Sequence, residues 1–441
     1  MKQFSGTKFK VETLGCKLNQ FDSAVIEGEL IRRKFLPCMS REEASIVIIN
    51  TCTVTGKADY QSRRLIRKVR RENPDCTIIV TGCYARLDPD ALRALPEANM
   101  VIDVEDEKAP RAIVEELTEM PVEMEESGTD IHDARVPDIF ETHFSGRTRA
   151  FLKIQDGCDL KCSYCIIPRV RGKSRSAEPR VVIDNVKKLI KKGFREIVLT
   201  GVNSGDYGRD LSQQTSLLRL LREIVRIEDL GRVRLNSLEP PTIPDDLIDL
   251  IASTEKIAHH LHVPLQSGCD RTLKMMYRPY RTWQYSRIVE QLRERIPDIG
   301  IGTDVIVGFP GETDEDFEQT YSFIENSPIN FLHVFPFSKR PDTPASRMQG
   351  EVNGKVIKER VSLLRKLGEN LRYRFRQRFQ GKILDIIILG EKRDDGRYRA
   401  LSGNYIEIGV DARPNDVNRI FPCRIISVSP DDTLGQIVYS H

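Results

Sequence analysis

The sequence lacks any hydrophobic run long enough to cross a membrane. Its strongest apolar runs, "ASIVIIN" and "KILDIIILG", fall far short of the roughly 20 residues that a membrane-spanning helix needs. The first residues, "MKQFSGTKFKVETLG", contain no apolar stretch of the kind found in a secretory signal. We therefore expect a cytoplasmic protein that does not associate with a membrane.

The sequence also lacks a strong excess of charge of either sign. With 68 Lys and Arg against 65 Asp and Glu, the formal net charge is only +3. This balance excludes a polycation, so any nucleic-acid site must be a local basic patch. A length of 441 residues, 39% hydrophobic and 30% charged, is typical of a soluble protein with about two to four domains.

Three regions differ in their pattern of strands and helices. Residues 1–115 alternate strand-like and helical segments, which predicts a parallel α/β sheet. Residues 144–375 repeat a strand and a helix six times, which predicts either a partial barrel or a doubly wound sheet. Residues 376–441 contain short strands separated by turns, which predicts a small β-barrel. An acid-rich segment without Lys or Arg at 115–133 predicts an exposed linker over 116–143.

Ten cysteines in a reducing compartment favour metal binding or catalysis over disulfides. Cys158, Cys162 and Cys165 lie in "DGCDLKCSYCIIPRVRG", and this loop has no fourth cysteine. A closed structural metal site has four ligands, whereas three thiolates suit a [4Fe–4S] cluster with one iron left open. A zinc site completed by a distant fourth ligand is the alternative.

Three further cysteines end three successive strand-like segments of the first region. Cys16 follows "VETLG", Cys52 follows "IVIINT" and Cys83 follows "IIVTG". Because the carboxyl ends of parallel strands meet at one edge of a sheet, we expect these cysteines to converge. One such cysteine would most simply be a buried apolar residue, but three at equivalent positions indicate a shared ligand. The other four, interpreted as structural or as non-ligands, are Cys38, Cys76, Cys269 and Cys423.

The C-x3-C-x2-C loop, with Tyr164 just before its last cysteine, resembles the radical S-adenosylmethionine (SAM) superfamily. Together with "TLGCKLNQFDS", "INTCTVT" and "VTGCYA", it resembles the methylthiotransferase family of radical-SAM enzymes over essentially the whole chain. The resemblance implies an N-terminal domain with an auxiliary [4Fe–4S] cluster, a central radical-SAM partial (β/α)6 barrel with a second cluster, and a C-terminal TRAM barrel that binds RNA. The ligands implied for the two clusters are Cys16, Cys52 and Cys83, and Cys158, Cys162 and Cys165, respectively.

Other strand ends of the second region suit a SAM pocket. Glycines in "LTGVNSGDYG" would let the backbone approach a ligand closely, and polar side chains in "RLNSLEP" could hold ribose hydroxyls or the amino group. The segment "TDVIVGFPGET" resembles the adenine-contacting strand of the superfamily. The candidate residues for SAM binding are Gly201, Asn203, Gly205, Ser237, Glu239, Gln266, Ile306 and Gly308.

The resemblance also implies the reaction. The family inserts a sulfur atom at an aromatic C–H bond and methylates that sulfur. An aromatic C–H bond has no acidity that a side-chain base could use. Two SAM molecules per turnover are implied, one to methylate the incoming sulfur and one to supply a radical. An electron donor of the flavodoxin or ferredoxin type is also implied, and both clusters should face one cavity.

Two basic segments predict an RNA surface. Residues 360–382 contain eight Lys and Arg against one Glu, and residues 63–71 form a second basic helix beside Cys52. Their side chains would neutralise phosphates, whereas we expect the aromatic residues of the first segment to pack inward. An anticodon loop would let one base leave the stack at little cost.

The form "GCKLNQ" resembles the branch that acts on carbon 2 of threonylcarbamoyladenosine at nucleotide 37 of tRNA. The anionic threonylcarbamoyl group needs cationic or hydrogen-bonding partners, and Arg169, Arg171 and Arg278 are candidates. Other branches act on isopentenyladenosine in tRNA or on an aspartate of a ribosomal protein. A non-catalytic iron–sulfur RNA-binding sensor is the alternative from another class, and it would not need the SAM loops.

Overall fold

The computed structural model describes residues 6–105, 108–118, 148–213 and 215–439, so most of the predicted acidic linker lies outside the described residues. Three units follow one another along the chain: a parallel sheet, an open barrel and a small closed barrel. Within the described residues, no helix is both long enough and apolar enough to cross a membrane.

The first unit is a parallel sheet covered by helices. Its strands are Lys8–Thr13 (β1), Leu36–Pro37 (β2), Ile46–Thr51 (β3), Thr77–Gly82 (β4) and Met100–Val101 (β5). Its helices are Lys17–Arg32 (α1), Gly56–Glu72 (α2), Cys83–Leu87 (α3), Pro89–Arg93 (α4) and Ala109–Thr118 (α5). The strand order is β2-β1-β3-β4-β5, and every pair is parallel. Strands β3 and β4 are almost continuously apolar because both faces of the sheet are buried. The predicted sheet is confirmed, with the addition of the short β2.

The second unit contains eight strands, six of which are parallel and lie side by side. Its strands are Ala150–Lys153 (β6), Gln155–Asp156 (β7), Arg175–Ser176 (β8), Glu196–Thr200 (β9), Arg232–Leu235 (β10), His260–His262 (β11), Gly300–Val307 (β12) and Phe331–Pro336 (β13). Its helices are Ile167–Arg171 (α6), Pro179–Lys191 (α7), Leu217–Ile224 (α8), Asp245–Ala252 (α9), Asp270–Met275 (α10), Thr282–Arg295 (α11), Asp314–Glu325 (α12) and Gly354–Gln377 (α13).

The order of these strands identifies a partial barrel. β6, β9 and β10 form one ladder, β11, β12 and β13 form another, and parallel bridges from Val233 to Ile257 and from Ser237 to His262 join the two. The six strands therefore stand in sequence order, whereas the strand order of a doubly wound sheet reverses at a switch point. The short β7 and β8 pair separately.

The third unit is a closed five-stranded barrel, as predicted. Its strands are Ile383–Lys392 (β14), Tyr398–Ser402 (β15), Glu407–Val410 (β16), Ile420–Val428 (β17) and Thr433–Ile437 (β18). They close in the order β14-β15-β16-β18-β17. Phe375 near the end of α13, and Phe379 just beyond it, are buried in the core of this barrel, so the prediction that these aromatic residues pack inward is confirmed.

The small barrel closes the lower end of the central barrel, where the parallel strands begin. Asn404 donates a hydrogen bond to the carbonyl of Asp298, just before β12, at 3.1 Å. Tyr405 stacks on His260 with 4.2 Å between ring centroids, and the Arg234 guanidinium lies 5.1 Å from the centre of the Tyr405 ring. This loop therefore forms the floor of the central barrel's interior, which we call the lumen.

Candidate functional site

Three cysteines from separate loops of the first unit meet around Asn19. Cys16 precedes α1, Cys52 follows β3 and Cys83 begins α3, so each lies at the carboxyl end of a strand. Asn19 Oδ1 is 3.8 Å from Cys16 Sγ and 3.9 Å from Cys83 Sγ. A Cβ on Gly15 would lie 2.9 Å from Cys52 Sγ, so this sulfur abuts the loop before Cys16. The structure thus brings the three thiols together at one edge of the sheet.

The Asn19 side chain also fixes the loops that carry these cysteines. Its Nδ2 donates to the carbonyl of Leu14 at 2.8 Å and to the carbonyl of Thr51 at 2.9 Å. These carbonyls belong to the residues just before Gly15 and Cys52. One buried amide therefore holds two cysteine-bearing loops in place while its oxygen contacts two thiols.

A buried ion network joins this site to the second unit. Arg171 Nη2 donates to Asn19 Oδ1 at 2.6 Å, and Nη1 donates to both carboxylate oxygens of Asp156 at 3.0 Å. Arg171 also pairs with Asp22 at 3.2 Å, and Lys153 pairs with Asp22 at 2.8 Å and with Asp156 at 3.2 Å. Two cations offset two carboxylates, which makes their burial tolerable. Burial raises the pKa of Asp156, but Arg171 and Lys153 outweigh it and hold that pKa well below its usual range.

The loop with Cys158, Cys162 and Cys165 begins at this network. The Asp156 carboxylate accepts a hydrogen bond from the backbone N–H of Gly157 at 2.8 Å. Gly157 has a φ of +70°, and a Cβ there would lie 1.9 Å from a carbonyl oxygen of the returning chain. Only glycine fits this turn, so the ion network and the glycine together determine where Cys158 lies.

A buried guanidinium contacts the middle cysteine of this loop. Arg278 Nη1 lies 3.2 Å from Cys162 Sγ, and Nη2 pairs with Glu239. The guanidinium therefore joins the middle cysteine of the loop to Glu239, which follows β10. Burial raises the pKa of Glu239, and the neighbouring Arg278 reduces that effect.

The donor sets and the spacing of the sulfurs fit iron–sulfur clusters better than zinc. Among the described residues, the one trio of metal-binding side chains with donor atoms all within 4.8 Å of one another is His262, Asp304 and His333. Neither cysteine set is therefore as tight as a tetrahedral zinc site, in which Zn–S bonds of ~2.3 Å put sulfurs roughly 3.8 Å apart. Thiolates spaced more widely suit a larger iron–sulfur group. Burial raises the pKa of Cys158 to about 11 and that of Cys165 to about 12, so both release protons when they bind a metal.

Several of the candidate SAM residues lie together at the carboxyl ends of the central strands. Glu239 is placed beside Cys162 through Arg278. Gln266, with a φ of +67°, accepts a hydrogen bond from the N–H of Ile306 at 2.9 Å and so extends the sheet beside β12. Ser237 pairs through its backbone with β11. These residues face the same end of the barrel as the three-cysteine loop.

The glycine candidates have structural neighbours of their own. A Cβ on Gly201, Gly205 or Gly308 would lie 2.8, 1.8 or 2.5 Å, respectively, from an atom of a neighbouring side chain. Packing within the protein therefore explains these glycines without a ligand. Asn203 is more informative, because its Oδ1 is buried and has no hydrogen-bond partner among the described residues.

The structure places two arginines differently from the sequence-based assignment. Arg171 and Arg278 are 1% and 6% exposed, and both bind carboxylates of the protein, so neither is available to RNA or to a substrate carboxylate. Arg169 remains exposed and pairs with a nearby carboxylate. Sequence reasoning also missed Asn19, although it lies three residues after Cys16, a spacing that puts both on one face of a helix.

The remaining four cysteines lie apart from both three-cysteine sites. Cys38, Cys76 and Cys423 lie close to backbone carbonyls, and Cys269 contacts the carboxylate of Asp316 at 3.1 Å.

The two basic segments present part of their charge to solvent. Arg372 and Arg374 on α13 and Arg378 just beyond it are exposed, whereas Arg376 is buried against the small barrel. On α2, the hydroxyl of Ser62 lies 3.3 Å from the carbonyl oxygen of Cys52, which places this helix beside the first cysteine site. A cavity of about 660 Å³ lies between α13, the small barrel and the open edge of the central barrel.

Comparison with known proteins covers nearly the whole chain. Residues 152–324 match the Radical SAM superfamily, and residues 8–103 match the Uncharacterized protein family UPF0004. The chain is 36% identical over 438 residues to the Threonylcarbamoyladenosine tRNA methylthiotransferase MtaB of Bacillus subtilis (strain 168), which covers 97% of this chain and 95% of the relative. It is 35% identical over 428 residues to the tRNA-2-methylthio-N(6)-dimethylallyladenosine synthase of Thermobifida fusca (strain YX), covering 93% and 85%. The solved structure of the radical SAM methyltransferase TsrM from Kitasatospora setae aligns with a TM-score of 0.54 and 17% identity over 77% of each chain, which shows a shared fold.

Proposed function

Since the chain belongs to the radical-SAM methylthiotransferase family, we propose that it attaches a methylthio group to carbon 2 of threonylcarbamoyladenosine at nucleotide 37 of tRNA, next to the anticodon. The relative named for this nucleoside aligns over 97% of the chain. Within the molecule, one observation carries the proposal: Arg171 binds both Asn19 and Asp156 and so fixes the two three-cysteine sites relative to each other. A reaction that needs both sites at one substrate atom requires such a fixed relation.

The two three-cysteine sites are assigned one [4Fe–4S] cluster each. These clusters and SAM, two molecules per turnover, would supply the radical and sulfur-transfer chemistry that amino-acid side chains do not provide. The chain itself orients the ligands: Asn19 positions the loops of Cys16 and Cys52, and Arg278 contacts the sulfur of Cys162. The ligands proposed are Cys16, Cys52 and Cys83 for one cluster, and Cys158, Cys162 and Cys165 for the other.

The SAM pocket is proposed at the carboxyl ends of the central strands. Glu239 and Ser237 would bind its polar groups, and the unpartnered Oδ1 of Asn203 would accept one further hydrogen bond. Ile306 packs in a small apolar cluster with Tyr164 and offers a surface for the adenine. The remaining residues proposed to contact SAM are Gly201, Gln266 and Gly308.

This assignment gives each region of the chain a proposed role. Residues 1–115 would form the methylthiotransferase N-terminal domain, 116–143 an acidic linker, 144–375 the radical-SAM core and 376–441 a TRAM barrel that binds RNA. The exposed side chains of Arg372, Arg374 and Arg378 are proposed to contact tRNA phosphates. A low-potential flavodoxin or ferredoxin would supply electrons.

The decisive experiment is deletion of the gene in its host, followed by digestion of total tRNA and mass spectrometry of the nucleosides. The methylthio form of threonylcarbamoyladenosine should disappear while its precursor, which lacks the methylthio group, accumulates. Restoring the wild-type gene should reverse both changes, and a copy with Cys162→Ala should not.

A second candidate substrate is supported by the relative from Thermobifida fusca, which is nearly as similar and is named for dimethylallyladenosine. In the same experiment, loss of the methylthio-dimethylallyl nucleoside with no change in the threonylcarbamoyl one would favour that substrate. No change in any methylthio nucleoside would instead favour a ribosomal-protein substrate or an RNA-binding sensor without enzymatic activity.

A further inference from the structure

The side chain of Lys17 extends from the first unit into the central barrel. It is the first residue of α1 and directly follows Cys16. Its ammonium donates a hydrogen bond to Asn236 Oδ1, at the carboxyl end of β10, at 3.1 Å. Within the described ranges no carboxylate forms an ion pair with Lys17, which is half-buried. An ammonium has three N–H donors, so after the bond to Asn236 two remain for a ligand.

The surroundings of Lys17 carry an excess of positive charge. Arg234 and Arg149 lie close enough to repel it electrostatically, and Glu196 attracts it from a distance. Both arginines share this single carboxylate, at 3.0 and 3.6 Å, respectively, and Arg232 shares it as well at 3.3 Å. Three guanidinium groups on one carboxylate leave the lumen positive. A half-buried cation in such a place is costly unless an anion joins it.

The acidic group on the other side of the lumen is already occupied. Asp304 lies 3.0 Å from His262 Nε2 and 3.2 Å from His333 Nδ1. It is therefore held by two imidazoles on neighbouring strands and does not neutralise Lys17. Among the described residues of the lumen, the Lys17 ammonium has N–H donors left for an arriving anion, and Asn236 keeps this ammonium in position because its own Nδ2 donates to Thr200 Oγ1 at 3.3 Å.

We propose that Lys17, oriented by Asn236, binds the free carboxylate of the threonylcarbamoyl group on the target adenosine. This inference rests on the proposed function and names the residue that selects its substrate. The threonylcarbamoyl group is attached to N6 of the adenine, on the same edge of the base as carbon 2. A carboxylate held by Lys17 therefore brings carbon 2 towards Cys16, which is only one residue away along the chain.

Charge-assisted hydrogen bonds in a partly dry site are strong enough to discriminate between substrates. Losing the contact between an ammonium and a carboxylate costs about 1.5–3 kcal/mol, which corresponds to roughly a 10- to 150-fold change in affinity. A neutral ester of the same group keeps its shape and loses only the charge. The difference in affinity between acid and ester thus measures the contribution of the carboxylate charge, and its loss in Lys17→Met assigns that contribution to Lys17.

The test measures anaerobic binding of the reconstituted full-length enzyme to three anticodon stem-loops. They contain threonylcarbamoyladenosine, its methyl ester or unmodified adenosine. The wild type should bind the acid roughly 10- to 150-fold more tightly than the ester, Lys17→Met should bind the two equally, and Lys17→Arg should recover part of the preference. Lys187→Met, a change at an exposed residue on the outer helix α7, should behave like the wild type.

Two controls keep the result interpretable. Iron content and the visible spectrum of Lys17→Met must match the wild type, because Lys17 adjoins Cys16; if they do not, Asn236→Leu replaces it and should reduce the acid preference at least threefold. An acid preference retained in both variants overturns the inference. Equal weakening of all three RNAs also overturns it, because Lys17 would then contact a backbone phosphate.

The same data separate this inference from the proposed function. If the wild type shows no preference for the acid and methylthiolates an isopentenyladenosine stem-loop instead, the proposed substrate is wrong. If the wild type prefers and modifies the threonylcarbamoyl stem-loop but Lys17→Met keeps that preference, only the role of Lys17 is wrong.

Discussion

Replacing Arg171 with Met should strongly destabilise the contact between the first two units. Arg171 is 1% exposed and donates hydrogen bonds to Asn19, Asp22 and both oxygens of Asp156. Its removal leaves Lys153 alone with two buried carboxylates, a net charge of −1 in a buried site. Breaking a buried ion pair in this way costs about 3–5 kcal/mol.

This loss of stability can be measured as a decrease in the melting temperature. For units of this size, 1 kcal/mol corresponds to roughly 2–4 °C, so Arg171→Met should lower the midpoint of thermal unfolding by roughly 6–20 °C. Arg180→Met is a matched control, because the Arg180 side chain is 94% exposed and its loss should cost less than about 0.5 kcal/mol. Circular dichroism at one pH measures the midpoint of thermal unfolding for the metal-free wild type, Arg171→Met and Arg180→Met.

A second substitution tests the electrostatic explanation itself. Asp156→Asn in the Arg171→Met background removes one carboxylate and leaves Lys153 paired with Asp22, so the buried charges balance again. The double variant should therefore be more stable than Arg171→Met by roughly 1–3 kcal/mol. A double variant less stable than Arg171→Met, or a single variant that melts with the wild type, would refute the reasoning.

Three further outcomes are expected. Iron analysis after anaerobic reconstitution should give about eight irons per chain, and about four would contradict two clusters. Cys162→Ala should abolish formation of 5′-deoxyadenosine from SAM, whereas Cys52→Ala should keep uncoupled SAM cleavage and lose sulfur insertion; wild-type behaviour of Cys52→Ala would argue against the first site. Burial and the nearby Arg234 hold the pKa of His260 well below its usual value. As the pH falls below ~6.5, the imidazole of His260 is therefore protonated in the unfolded chain but not in the folded one. The free energy of unfolding should drop by about 1.4 kcal/mol per pH unit in this range. His260→Phe should show a shallower fall in melting temperature between about pH 6.5 and 5.5, and equal slopes would speak against a buried neutral His260.

Local rules predicted the parts of the site that follow from regular structure. The sheet-edge rule predicted that Cys16, Cys52 and Cys83 converge, because that argument needs only parallel strands. It could not predict Asn19 as their common neighbour, since its contacts with Thr51 and Cys83 join segments that are far apart in sequence. The burial of Arg171 could not be predicted either, because the carboxylates that pair with it, Asp22 and Asp156, belong to two different units.

The sequence could not decide between a partial barrel and a doubly wound sheet for a similar reason. The spacing of strands and helices gives the number of βα units but not the side on which each new strand is added. The bridges between β10 and β11 decide this, and they depend on backbone contacts that no local pattern encodes. The position of the small barrel against the central barrel could not be predicted either. Tyr405 lies in a turn with a φ of +73°, and its stacking partner His260 is far away in the sequence.

The floor formed by Tyr405 has a consequence for how the enzyme matures. A ribosome releases the chain from its amino end, and units fold as they emerge. All six proposed cluster ligands are released before α13, whereas Tyr405 belongs to the last unit. A nascent chain could therefore receive its iron while Arg234 and His260 are still open to water. The floor of the lumen forms only when the last strands leave the ribosome, so the order of translation allows the six proposed ligands to bind metal before the lumen is closed at this end.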